Sequence, residues 1–153
     1  MLDRLFSFIH NKYQPLNIVI AESNEFHKAF LARAIAKIRP YHNIIVIDSL
    51  EEIFTLMYGE VKIDVVFFDL DYGADINDLK IIRAISPEIA FVHWSNCQHP
   101  EIIELLYDLS VNSFCLKRSS PDTFIDAIDS IGKNPKILYM DELLNKCLPL
   151  LAS

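Results

Sequence analysis

Four side chains in this sequence have the types that phosphoryl chemistry needs: Glu22, Asp69, Ser95 and Lys117. An acid beside a second carboxylate can hold Mg²⁺ through hard oxygen ligands. Asp69 then reads as a nucleophile whose carboxylate attacks a phosphoryl group, while the Lys117 ammonium and the Ser95 hydroxyl bind the phosphoryl oxygens as charge develops. Asp71 lies just beyond Asp69 in the chain. The plainer reading of those two acids is that Asp69 caps a strand and Asp71 begins a turn. The elements that carry the four residues decide between these readings.

Asp69 ends the apolar run Val65-Val66-Phe67-Phe68, which no polar residue interrupts. Such a run reads as a strand buried on both faces, the habit of a central parallel strand. Its last side chains emerge at the carboxyl edge of the sheet, where open α/β folds place their ligands. Further strands are expected at 16–21, 43–47, 89–94 and 114–116. Helical periodicity follows each strand: Phe26, Phe30, Leu31 and Ile35 up to Pro40; a Ser49/Glu52 capping box before Ile53 and Leu56, closed at Gly59; Leu79, Ile82 and Ile85; Pro100 before Ile103 and Leu106; Ser120-Pro121 before Phe124, Ile128 and Ile131, ended by Gly132. This alternation predicts an α/β fold, a doubly wound five-stranded parallel sheet of (βα)5 type. Glu22 and Ser23, Asp69, Ser95 and Lys117 each follow a strand, so they converge on one edge.

Two segments flank that domain of 16–132. Residues 1–15 carry Leu2, Leu5, Phe6 and Ile9 at helical spacing before Pro15, an amphipathic N-terminal segment suited to pack on the body or on a second copy. Residues 133–153 read as a helical tail through Ile137, Leu138, Leu143, Leu144 and Leu148, ended by Pro149. A content of 52% hydrophobic residues allows a real core. The net charge of −7, with no Lys/Arg cluster, speaks against a nucleic-acid surface and for protein partners. Cys97, Cys115 and Cys147 lack CxxC spacing and suit a reducing compartment. No apolar run reaches membrane-spanning length and the N-terminus does not read as a secretory signal, so a soluble cytoplasmic protein is expected.

The residues at the strand ends resemble the receiver domain of bacterial two-component response regulators, over roughly 16–131. Ile18-Val19-Ile20-Ala21-Glu22-Ser23 resembles the strand that ends in an acidic pair, and Phe67-Phe68-Asp69-Leu70 the phosphoacceptor strand. Val92-His93-Trp94-Ser95 is similar to the strand ending in the switch hydroxyl, and Asn112-Ser113-Phe114-Cys115-Leu116-Lys117 to the segment holding the switch aromatic and the lysine. The resemblance implies a flavodoxin-like receiver fold and Asp69 as acceptor of a phosphoryl group from a histidine kinase or phosphotransfer protein. Ser95 and Phe114 would reorient on that event. Mg²⁺ would be held by Glu22, Asp69 and the backbone carbonyl of Asp71. The tail from Ile137 resembles a linker to a helix-turn-helix domain, and none follows; a stand-alone signalling protein acting through a downstream partner or a homodimer is expected. Four positions depart from the pattern. Ser23 replaces the second acid with a poor Mg²⁺ ligand, Asn96 is bulkier than the usual small residue after the switch hydroxyl, and Arg118 and Gly73 replace prolines.

Three other readings compete. A pseudo-receiver that binds partners without phosphate is favoured by Ser23 and Asn96 and opposed by Asp69, Ser95 and Lys117. Asp69-Leu70-Asp71 also resembles the DxD signature of haloacid-dehalogenase-type phosphatases, with Asp71 as general acid/base. That motif normally ends the first core strand, expects Thr where Gly73 stands, and needs more chain than remains. His93, Cys97 and His99 form a weak metal motif without a fourth ligand; the plainer reading takes His93 as an ordinary strand residue and Cys97 and His99 as part of the loop and helix start. Trp94 reads as a packing residue beside Ser95.

Overall fold

The computed structural model describes Leu2 and residues 14–152, with side chains described up to Leu148. The amphipathic segment expected at 1–15 therefore lies almost wholly outside the described residues. Strands β1 (Asn17–Ala21), β2 (Asn43–Ile47), β3 (Val65–Phe68), β4 (Ala90–Trp94), β5 (Ser113–Cys115) and β6 (Tyr139–Met140) form one parallel sheet in the order β2-β1-β3-β4-β5-β6. Among the described residues from 14 onward, six helices accompany it: α1 (Glu25–Ile38), α2 (Ile53–Tyr58), α3 (Ile76–Ile85), α4 (Pro100–Asp108), α5 (Pro121–Lys133) and α6 (Glu142–Ala152), with a 3₁₀ turn, Leu50–Glu52, before α2. The doubly wound parallel architecture expected from the sequence is present, with six strands where five were expected. The order reverses between β1 and β3, the position where such sheets open a crevice at their carboxyl ends.

All four side chains of β3 are buried, as an uninterrupted apolar run requires. Strand alternation splits the sheet's side chains between two cores. On one face Val19, Val66, Phe68, Phe91 and Phe114 pack with Leu50, Ile53, Leu79, Leu106 and Leu144. On the other, Ile20, Phe67, Val92 and Trp94 meet Leu31, Ile35, Phe124 and Ile128. Burying each such side chain stabilises the fold by about 1.5–3 kcal/mol.

Local chemistry sets the helix starts. The Asn24 side chain accepts from the amides of Phe26 and His27, both at 3.0 Å, and caps α1. Asp75 caps α3 by accepting from the Asn77 amide at 2.7 Å. Pro100 and Pro121 occupy first turns, where a missing amide costs nothing. Glu52 accepts from the Ser49 amide at 3.1 Å, the glutamate half of the expected capping box.

Three expectations for helix ends and tail are corrected. Residues 133–153 are not purely helical, because Tyr139 and Met140 pair with Ser113 and Phe114 before α6 begins. Gly132 does not end α5, which runs to Lys133 and is capped at Asn134. Pro149 does not end α6, which continues to Ala152, since a proline removes one amide bond from a helix whose docking rests on side chains such as Leu144. Among the described residues no helix is long and apolar enough to cross a membrane.

Candidate functional site

Glu22 directly follows β1 and Asp69 directly follows β3, the two strands that flank the topological switch point. Both are buried, at 2% and 1% exposure. Lys117, two residues past β5, reaches across the crevice. Its ammonium lies 2.8 Å from Asp69 Oδ2 and also contacts Glu22 Oε1. The contact to Asp69 is an ion pair and does not meet hydrogen-bond geometry, since Oδ2 has no hydrogen-bond partner among the described residues. The other oxygen, Oδ1, accepts from the Asp71 amide at 2.9 Å.

Aromatic rings cover the lysine. Its ammonium stands 4.3 Å from the centre of the Tyr72 ring and 5.0 Å from that of Trp94. Both distances lie within reach of cation–π attraction. His27, in the first turn of α1, places Nδ1 2.8 Å from the ammonium and 3.3 Å from Glu22 Oε1, and its ring meets Tyr72 edge-on. The Tyr72 carbonyl accepts from the Ser23 amide at 3.2 Å, which ties the loop after β3 to the end of β1.

A second buried polar group stands behind Asp69. His93 is fully buried on β4, with Nε2 4.0 Å from Asp69 Oδ1. Its Nδ1 meets Gln98 Oε1 at 2.9 Å and its Nε2 accepts from the Leu70 amide at 3.4 Å, so the ring is neutral with the proton on Nδ1. Burial pushes His93 below the ordinary histidine range, and the Lys117 charge adds to this; Gln98 and the Asp69 and Asp71 carboxylates pull the other way. Gln98 returns two bonds, to the carbonyls of His93 at 2.8 Å and Cys115 at 3.2 Å.

The structure brings together Glu22, Asp69 and Lys117 of the expected site residues, and leaves others apart. Ser95 is buried, but its Oγ accepts from the Cys97 amide at 2.9 Å within its own loop and makes no hydrogen bond to Asp69. Phe114 is buried on the face opposite Trp94 and lines a groove between α4 and α6. Asp71 and Ser23 are exposed. Burial raises the Cys97 thiol, helped by the charge of Asp71 and a hydrogen bond to it. Sequence reading passed over His27, Tyr72 and Gln98 and took His93 for an ordinary strand residue. The available signal was one polar side chain in an otherwise apolar strand next to Ser95.

The Mg²⁺ implied by the resemblance does not fit this arrangement. Both carboxylates that would bind it already hold the Lys117 ammonium, Ser23 offers only an exposed hydroxyl, and among the described residues no group of three His, Cys, Asp or Glu side chains is arranged to hold a metal ion. The His93, Cys97 and His99 motif fails the same test, since His93 is committed to Gln98 and His99 is an exposed cap of α4.

No protein-family model and no curated protein matches the sequence. Solved structures do match. The isolated receiver domain of RcsB from Salmonella enterica serovar Typhimurium with the phosphomimetic BeF₃⁻ is 17% identical, with a TM-score of 0.76 over 88% of this chain and 99% of that one. The same domain in its apo form is 18% identical, with a TM-score of 0.73 over 90% and 99%. A response regulator from Thermotoga maritima is 19% identical, with a TM-score of 0.68 over 78% and 99%. At this distance in sequence the likeness speaks for the backbone alone: this chain has the fold of a response-regulator receiver domain.

Proposed function

We propose that the protein is a cytoplasmic receiver-type signalling module in which Asp69 accepts a phosphoryl group from a phosphohistidine, on a histidine kinase or a phosphotransfer protein. The observation that carries this reading is the buried contact of Lys117 with Asp69 at the switch point of the sheet. An Asp69 oxygen attacks phosphorus, the N–P bond of the donor breaks, and its imidazole leaves as an acyl phosphate forms. The Lys117 ammonium then transfers its attraction from the carboxylate to the phosphoryl oxygens. Attack needs Lys117 and the Tyr72 ring above it to swing aside, because the Asp69 side chain is only 2% exposed. The acidic surface and the groove beside Phe114 support output through protein contacts, to a downstream partner or a second copy.

One observation favours the second reading, a phosphate-independent binding module: the lysine already forms ion pairs with both carboxylates, and Ser23 stands in place of the third acid. Treatment with acetyl phosphate, with and without Mg²⁺, followed by intact mass measurement separates the two. Gain of one acid-labile phosphoryl group in the wild type and none in Asp69→Asn is the expected result. No gain in either protein establishes the phosphate-independent module, and gain that persists in Asp69→Asn removes Asp69 from the acceptor's role.

A further inference from the structure

Asp141 belongs to neither the acid crevice nor either core, yet it is only 1% exposed and makes the densest set of polar contacts in the tail. Its two carboxylate oxygens serve different elements. Oδ1 accepts from the amides of Leu143 at 2.8 Å and Leu144 at 3.5 Å and so caps α6. Oδ2 accepts from the Leu116 amide at 2.9 Å and the Ser119 hydroxyl at 2.6 Å, the two residues that bracket the Lys117-Arg118 step. The Asp141 amide donates to the Phe114 carbonyl at 3.0 Å. On its far side the same loop is pinned by Asn96, whose side chain accepts from the Arg118 amide at 3.1 Å.

We propose that Asp141 is a positioning residue for Lys117, and that through its divided carboxylate the state of the acid crevice is passed to α6. A shift of Lys117 toward a new charge on Asp69 pulls on Leu116 and Ser119, and both bonds end on Oδ2 of the carboxylate whose Oδ1 starts the helix. Leu144 and Leu148 of α6 pack against the core that holds Phe114, so a change at the cap alters the groove of about 530 Å³ lined by Ile103, Tyr107, Phe114, Leu138, Met140 and Leu148. The signal's content rests on the phosphoryl reading above; the positioning of Lys117 does not.

Asp141→Asn separates the two halves of the carboxylate. Asparagine caps helices as well as aspartate does, so its carbonyl oxygen stays on the α6 amides and its NH₂ turns toward the Leu116 amide, where two donors face each other. Hydrogen exchange by NMR should show the amides of 142–148 within about twofold of wild type, and that of Leu116 faster by about tenfold, the size of one buried hydrogen bond lost. Trp94 emission should shift with the Lys117 beneath it, and Ser119→Ala should give a smaller shift of the same sign. Leu144→Ala is the structural control: it should speed exchange in α6 and leave Trp94 emission at the wild-type value. The proposal is overturned if Asp141→Asn leaves both the Leu116 amide and Trp94 unchanged, or if Leu144→Ala moves Trp94 equally. If Asp141→Asn does not fold, Ser119→Ala decides by the Trp94 readout: a shift of Trp94 emission supports the proposal, and wild-type emission overturns it. Failure of the wild type to take up phosphate defeats the acceptor reading and leaves these readouts standing.

Discussion

His93 gives the molecule a pH signature that a single residue can explain. Burial holds its folded-state pKa below the unfolded value of about 6.5, so the ring stays neutral in the fold while the unfolded chain takes up a proton. Stability is therefore fully present above that value and is lost as pH falls through and below it. Each such proton contributes a slope of up to about 1.36 kcal/mol per pH unit. His42 is lowered by burial in the same direction and adds to the fall. Urea unfolding at a series of pH values from about 7 to about 5 should show decreasing stability in the wild type and a shallower decrease in His93→Gln. Equal slopes in the two proteins would mean that His93 binds its proton equally well in the folded and the unfolded chain. Glu22, Asp69 and Lys117 were legible in the sequence because each comes just past an apolar strand, and a parallel sheet brings all such positions to one edge. His27, Tyr72 and Gln98 were not, because they lie on a helix or in loops whose path is set by packing. Nor could the sequence show that Ser95 turns to the Cys97 amide, since one rotation about Cα–Cβ makes the difference.

At the scale of elements, the turn after β3 is the tightest constraint near the crevice. Gly73 has φ +90°, and a Cβ there would stand 2.3 Å from the Asp48 carbonyl oxygen at the end of β2. The Gly73 carbonyl in turn accepts from the Leu50 amide at 3.3 Å. The departure at this position from the proline of receiver domains thus has a local cause: the loop passes too close to β2 for any side chain. Gly73→Ala should cost about 1–3 kcal/mol of unfolding free energy by denaturant titration, as strained positions do. An unchanged midpoint would show that the loop relaxes freely. The strands were readable because apolar runs and helical periods alternate without a break. β6 was not, because two residues carry no period, and their pairing with Ser113 and Phe114 is a matter of register between distant parts of the chain.

For the whole molecule, the two cores share one sheet. The side chains of β1, β3 and β4 alternate between them, so neither core can dissolve while the other keeps its strands. Equilibrium unfolding in urea, followed by Trp94 fluorescence and by far-ultraviolet circular dichroism, should give coincident midpoints. Trp94 belongs to the core with α1 and α5, so separate midpoints would reveal a face that melts alone. The placement of β6 has one further effect. An edge strand with a long row of free backbone groups invites another chain to add to it and begin an aggregate. On the side of the sheet that carries Lys117, that edge is a strand of only two residues, followed at once by a capped helix. The short final strand thus works as a guard, denying a template for intermolecular strand addition beside the crevice that holds Lys117.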